Sequence, residues 1–157
     1  MKLAEALILR AANNRRIDEL QRRIVGGLWT QEDTPPAEDI ESLVSELENL
    51  CDYQTALIRS INRTNSLTKW SNFGLTISDL IANRDWHRTR NRIFSAIASQ
   101  LRANPGRVSK SEIKFFKTFD LQKMNALVDD SARLVRELDT ELQSANWQVD
   151  LQVDLID

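Results

Sequence analysis

The stretch IESLVSELENLCDYQTALIRSI, residues 40–61, carries the most regular apolar pattern of the chain. Its stripe has a spacing of three and four residues and consists of Ile40, Leu43, Leu47, Leu50, Gln54, Leu57 and Ile61. This spacing places the residues on one face of an α-helix. Three other segments have similar stripes, so the sequence predicts a mainly α fold with helices at about 3–28, 35–65, 77–103 and 120–145.

Residues that commonly start or stop helices mark the ends of these segments. Gly26 and Gly27 end the first helix, since glycine favours helix termination. Thr34 is the expected cap of the second helix, with Pro35 at its first position. Asp120 is the expected cap of the fourth helix. We therefore expect long antiparallel hairpins or a four-helix, coiled-coil-like bundle, forming one domain over residues 1–157.

The C-terminal residues 147–155 read WQVDLQVDL, which alternates strictly between apolar and polar side chains. Alternation with a period of two is typical of a half-buried strand, and a lone strand must pair with another edge. Residues 113–119 alternate approximately, which favours a short strand and so a two-stranded β ribbon near the C-terminus, whereas Ser109 and Glu112 could instead cap one turn of helix. The sequence leaves open whether the tail pairs within or between chains. The candidate assembly strand contains Trp147, Val149, Leu151, Val153 and Leu155.

The composition indicates more about the cellular location of the protein than about its activity. The chain has 157 residues, a net charge of −2 and one cysteine, Cys51. An intrachain disulfide is therefore impossible, and we find no signal peptide and no apolar run long enough to cross a membrane. These features predict a cytoplasmic protein. Basic and acidic segments alternate along the chain, which suits antiparallel helices that face each other with opposite charge.

Several polar residues interrupt the apolar stripes, where burial costs several kcal/mol (about 2–7) unless they are paired. They could form one layer that fixes helix register, with the Asp85 carboxylate accepting from an arginine. A small-anion site and simple solvent exposure are the alternatives. The candidate polar layer comprises Arg10, Asn14, Asn62, Asn65, Arg84, Asp85 and Arg88.

The third helix also carries a basic run next to Trp86 and His87. Arginines beside an aromatic residue can hold phosphates, so an anion- or nucleic-acid-binding face is one interpretation and a solvated or intersubunit face is the other. The candidate anion-binding residues are Arg84, Arg88, Arg90 and Arg92.

The residues that carry most enzyme chemistry are scarce in this chain. His87 is the only histidine, so neither a histidine–cysteine metal cluster nor a conventional catalytic pair is indicated. Cys51 lies at the edge of the second stripe, where we expect a small core residue. We predict no catalytic residues, no metal site, no cofactor and no enzymatic activity.

Five strings in the chain together resemble the septicolysin-like family of small, largely uncharacterised bacterial proteins. The resemblance implies a helical fold over nearly the whole chain, and the family name implies a cytolysin. The strings are Met1–Leu7 with Arg10, Ile61–Asn65, Leu80–Asp85, Ser109–Lys114 and Leu138–Trp147.

The features of the sequence favour a non-enzymatic cytoplasmic protein that self-assembles into homo-oligomers through helix packing and tail-strand pairing. Two other functions are possible interpretations. One is a membrane-acting, pore-forming cytolysin, as the resemblance implies. The other is a nucleic-acid- or anion-binding module that uses the Arg84–Arg92 face.

Overall fold

The computed structural model describes residues 1–71, 74–103 and 115–153. These residues form four helices, which confirms the mainly α fold. The helices are α1 (Leu3–Gly27), α2 (Ile40–Leu67), α3 (Ile77–Arg102) and α4 (Leu121–Gln148).

The start of α2 differs from the sequence-based expectation, whereas the start of α4 agrees with it. Asp39 caps α2, and its carboxylate accepts a hydrogen bond from the Glu41 backbone N–H at 3.2 Å. Thr34 is therefore not the cap, because Pro36 disfavours a helical backbone at Pro35. Asp120 caps α4 as predicted, since its Oδ1 accepts from the backbone N–H groups of Gln122 and Lys123 at 2.6 and 3.3 Å.

The chain divides into two compact units, the first formed by Met1–Ile77 with Ser144–Asp157 and the second by Ser78–Gln143. In the first unit α1 and α2 are antiparallel. Arg16 near the middle of α1 pairs with Glu46 at 2.7 Å, and Arg23 near its end pairs with Glu38 before the start of α2. The basic face of α1 thus meets the acidic face of α2. Buried apolar residues of this unit are Leu3, Ala4, Ala6, Leu20, Leu43, Leu57, Ile61, Ile77 and Ala145.

Gly27, the last residue of α1, lies close to the side chain of Ile40. A β-carbon at this position would collide with Cδ1 of Ile40, the first residue of α2. The predicted stop at Gly26 and Gly27 is confirmed, because α1 ends at Gly27. Glycine at this position ends the helix and gives the Ile40 side chain space to pack.

In the second unit α3 and α4 are also antiparallel. Arg88 pairs with Asp139 at 2.9 Å, and Arg102 donates to the Asn125 side chain at 2.7 Å, so the residue numbers run in opposite directions. Among the described residues of this unit, those that are fully or nearly buried are Leu80, Ala98, Met124, Ser131 and Leu142. Several apolar residues of α3 remain exposed, among them Trp86, Ile93 and Ile97.

The predicted β ribbon is wrong for the part of the chain that the structure describes, where no strand is present. Residues 115–119 have no regular structure, and Trp147 and Gln148 belong to the last turn of α4. Residues 113, 114, 154 and 155 of the predicted strands lie outside the described ranges. The α-helix extends into the alternating stretch because the local i to i−4 hydrogen bonds need no partner strand, as between the Val149 N–H and the Ala145 carbonyl at 2.9 Å.

Candidate functional site

The polar residues of the first unit meet around Gln54, which is 6% exposed on α2. Its side-chain Nε2 donates to the Arg10 carbonyl at 3.0 Å and to Asn14 Oδ1 at 2.7 Å. Its Oε1 accepts from Nδ2 of Asn13 at 3.1 Å, and Asn13 is 8% exposed. Both N–H groups of the Gln54 side-chain amide therefore donate to acceptors on α1. We call Gln54, Asn13 and Asn14 the amide cluster.

The amide cluster contains only part of the predicted polar layer. Asn14 takes part with its side chain, and Arg10 takes part through its backbone carbonyl. Asn62 is exposed and Asn65 is half-buried near the end of α2, about two and three helical turns from Gln54. Gln54 itself was missing from the predicted layer, although a glutamine within an apolar stripe was the available signal.

The remaining layer residues form an ionic group in the second unit, centred on Asp139 of α4. Both oxygens of Asp139 accept from Nη2 of Arg88, at 3.1 and 2.9 Å, and Nη1 of Arg84 lies 3.6 Å from Oδ1. Asp85 accepts from Nε of Arg84 at 2.9 Å, but its side chain is 58% exposed. The sequence did not identify Asp139 as the partner, because it is one of several acidic residues on α4 and nothing in the local sequence distinguishes it from the others.

The four arginines of the candidate anion-binding face have different surroundings. Arg84 and Arg88 are paired with Asp139, which neutralises part of their charge. The Arg90 guanidinium lies over the Phe94 ring, 5.1 Å from its centroid. Arg92 is exposed, and residues two apart on a helix do not face each other, so Arg90 and Arg92 point to different sides.

His87 and Cys51 do not form a recognisable reactive site among the described residues. His87 is half-buried, and its Nδ1 has no hydrogen-bond partner within the part of the chain that the structure describes. In the same part, no group of three or more His, Cys, Asp or Glu residues could hold a metal ion. Cys51 is exposed, so the expectation of a core position was wrong.

The described part of the candidate assembly strand pairs inside its own chain. Val149 accepts from the Leu3 N–H at 3.0 Å, and the Leu151 N–H donates to Met1 at 2.9 Å, which makes an isolated antiparallel bridge between Lys2 and Asp150. Trp147 and Val153 are 59% and 65% exposed, and Leu155 lies beyond the described residues. We call this pairing the terminal clasp.

Side chains reinforce the terminal clasp. Nζ of Lys2 lies 2.9 Å from Oδ1 of Asp150, and it also donates to the Gln148 carbonyl at 3.1 Å. The hydrogen bond from Lys2 lowers the pKa of the Asp150 carboxyl. The backbone N–H of Gln152 donates to Oγ1 of Thr64, a residue that is fully buried on α2. The tail is therefore held by the residues at the start of α1 and by Thr64 near the end of α2. All of these contacts lie within one chain.

Two helix faces carry apolar side chains that the chain itself does not cover. On α3, Trp86, Ile93 and Ile97 are 60%, 43% and 40% exposed. Their spacing of seven and four residues places them on one face, which we call the α3 face. On α2, Val44 and Ile58 are 38% and 37% exposed and lie seven residues on either side of exposed Cys51. Exposed apolar stripes of this kind mark interaction sites more often than isolated exposed residues do.

The described residues thus define an all-α protein with two compact units. The chain belongs to a family of unknown function, DUF6847, whose profile matches residues 10–151. A crystal structure of a functionally unknown conserved protein from Corynebacterium diphtheriae has the same fold, with a TM-score of 0.84 and 38% sequence identity. That match covers 97% of this chain and 99% of the other. No curated protein matches the sequence.

These matches correct the resemblance drawn from the sequence. The family that the profile identifies has no assigned function, and neither match supports the name septicolysin-like. The expectation of a pore-forming cytolysin depended on that name and is left without a basis. Among the described residues, no helix is long and apolar enough to cross a membrane.

Proposed function

We propose that this protein is a non-enzymatic assembly subunit whose copies associate through the α3 face. The observation that carries the proposal is the exposure of Trp86, Ile93 and Ile97 on one side of a helix whose other side is already packed. On that packed side, Nδ2 of Asn91 donates to the Val128 carbonyl at 2.9 Å and to Oγ of Ser131 at 3.1 Å. Contacts to α4 therefore leave the α3 face free for another molecule.

The composition of the α3 face suits a second copy of the same helix. Ala82 and Ala96 lie beside the three large residues on the helical surface, and small side chains let helices approach closely. Arg90 lies at the edge of the face, and its guanidinium is engaged with the Phe94 ring. An apolar stripe can pair with an identical stripe across a two-fold axis when each Arg90 stays at the solvent-exposed rim of the contact, where its charge is screened.

Covering the α3 face supplies part of the free energy that a stable contact between copies requires. Fully burying one large apolar side chain contributes about 1.5–3 kcal/mol. The three residues are already partly covered, so burying the rest contributes about half of that each, or roughly 3 kcal/mol per copy. Two copies together contribute about 6 kcal/mol, from which the cost of association must be subtracted. Other side chains that the two copies bring into contact must supply the remainder.

We also propose that the protein binds a partner and catalyses no reaction, and that it acts in the cytoplasm. A cytoplasmic setting fits the single Cys51, which cannot form an intrachain disulfide. The strand-pairing part of the sequence-based hypothesis is not carried forward, since the terminal clasp occupies residues 149–151.

The experiment that tests the proposal is light scattering after size exclusion, with one substitution on the α3 face and a matched control. Ile93→Glu places a charge in the centre of the face, whereas Ser99→Glu adds the same charge at an exposed position about 120° away around the same helix. We expect the wild-type chain to elute with the mass of an oligomer, Ile93→Glu to elute as a monomer, and Ser99→Glu to match the wild type. A monomeric wild-type chain, or an Ile93→Glu oligomer, would contradict the proposal.

A further inference from the structure

The segment before α4 presents three phenylalanines to solvent within five residues. Phe115, Phe116 and Phe119 are 62%, 82% and 45% exposed, and Lys117 lies between them. The described residues 115–119 have no regular secondary structure. We call residues 115–119 the aromatic segment. Exposing this much aromatic surface is unfavourable in water, so the segment is suited to a partner that covers it.

The charge of the surrounding sequence is opposite to that of the chain as a whole. The chain has a net charge of −2, yet the residues from Arg102 to Lys123 contain more bases than acids. One of the two acids there, Asp120, accepts hydrogen bonds from the first turn of α4 and so directs its charge to the helix N-terminus. The bases are Arg102, Arg107, Lys110, Lys114, Lys117 and Lys123, and the acids are Glu112 and Asp120.

We propose that the aromatic segment docks on an anionic lipid surface. The phenylalanines would enter the boundary between headgroups and acyl chains, and Lys117 would stay at the level of the lipid phosphates. Aromatic and basic side chains in alternation suit this boundary, because one kind prefers hydrocarbon and the other prefers the negative surface. Binding of this kind is peripheral and does not need a membrane-spanning helix.

Two other partners fit the aromatic segment less well. Single-stranded nucleic acid would also be attracted by the bases and could stack on the rings, but lipid insertion gains from every exposed ring, and three of the five residues of the segment are exposed phenylalanines. A second copy of this chain would need to offer a concave apolar site, and the apolar stripes on α2 and α3 are convex helix faces. A fluid lipid surface needs no preformed pocket and adapts to an irregular segment.

The test is sedimentation of the full-length chain with vesicles, using two matched aromatic substitutions. The vesicles are phosphatidylcholine alone, or phosphatidylcholine with one third phosphatidylglycerol. Phe116→Ser removes the most exposed ring of the segment, and Trp29→Ser removes a ring that is 90% exposed elsewhere, next to Glu32 and Asp33 in sequence. Circular dichroism verifies that each variant keeps its helical signal.

We expect the wild-type chain to bind the anionic vesicles at least about tenfold more tightly than the neutral ones, with the difference reduced by salt. Phe116→Ser and Lys117→Glu should each weaken binding to the anionic vesicles by about tenfold, whereas Trp29→Ser should leave it unchanged.

Several results would overturn the inference. They are no binding to the anionic vesicles, equal losses in Phe116→Ser and Trp29→Ser, or binding to a single-stranded oligonucleotide instead of vesicles. A lower mass of Phe116→Ser in light scattering, without vesicle binding, would assign the segment to a contact between copies. The inference is independent of the α3 face, so the Ile93→Glu variant should bind vesicles through the same segment.

Discussion

Replacing Gln54 with leucine should destabilise the protein even though it completes an apolar stripe. The change removes the hydrogen bonds of Gln54 with the Arg10 carbonyl, Asn14 and Asn13. A net contribution of about 1 kcal/mol per hydrogen bond gives roughly 3 kcal/mol for the three. Leaving Asn13 buried without a partner adds to the loss, and the extra apolar burial of leucine offsets about 1 kcal/mol. We therefore expect a net cost of about 2–4 kcal/mol.

Urea unfolding followed by circular dichroism measures this cost as a change in the free energy of unfolding. Gln21→Leu is the matched control, because it makes the same chemical change at an exposed position on α1 and should stay within about 0.5 kcal/mol of the wild type. The double variant Asn13→Leu/Gln54→Leu removes both buried amides together, and we expect it to regain part of the loss.

A Gln54→Leu variant that is as stable as the wild-type chain, or more stable, would contradict this prediction. That result would mean that water satisfies the amide cluster and that the cluster contributes no net stability. A Gln54→Leu variant that keeps its stability but changes its mass in light scattering would instead assign Gln54 to the choice of partner helix, as buried polar residues do in coiled coils.

Three further predictions concern the ionic groups and the tail. Asp139→Ala should lower the free energy of unfolding by about 1 kcal/mol or more, because Arg84 and Arg88 lose their shared partner. Asp85→Ala, at an exposed position, should change it by no more than about 0.5 kcal/mol. Urea unfolding of the two variants measures the difference. Because Lys2 lowers the pKa of Asp150, the stabilisation from that carboxylate is present above its ordinary value of 3.8 and is lost as the pH falls below it. The melting temperature of Asp150→Asn should accordingly be lower than that of the wild type at neutral pH and equal to it in acid, and a constant difference would contradict the assignment. Truncation after Gln148 should lower the melting temperature without changing the mass in light scattering, because the terminal clasp lies within one chain; dissociation of an oligomer would show the tail to be an assembly element.

The helices could be predicted from sequence because their signals are local. The stripe from Ile40 to Ile61 and the cap at Asp120 depend on residues within a few turns, and both are present in the structure. The tail could not be predicted in the same way. Alternation in residues 147–155 satisfies the pattern of a strand, but the helical hydrogen bonds of α4 continue to Gln148, and the short remainder pairs with Met1 and Leu3. Nothing in the local pattern identifies a partner about 145 residues away.

The polar groups show the same limit. Asn13 and Asn14 are visible as interruptions in a stripe, but their partner Gln54 lies on another helix at a position that the apolar stripe includes. Asp139 is one acid among several on α4, and only the antiparallel register of α3 and α4 selects it as the partner of Arg88. Sequence patterns therefore indicate that a polar residue is buried more reliably than they indicate what pairs with it.

Because the tail pairs within its own chain, we expect copies to associate by packing of helix faces and not by pairing of strand edges. A free strand recognises another edge through backbone hydrogen bonds, which tolerate most side-chain substitutions. A helix face recognises its partner through side-chain packing, where a single buried charge without a partner is costly. If copies associate through the α3 face, one substitution at Ile93 should therefore be enough to separate them. If they associated through a strand edge, even several substitutions on α3 would leave the oligomer intact.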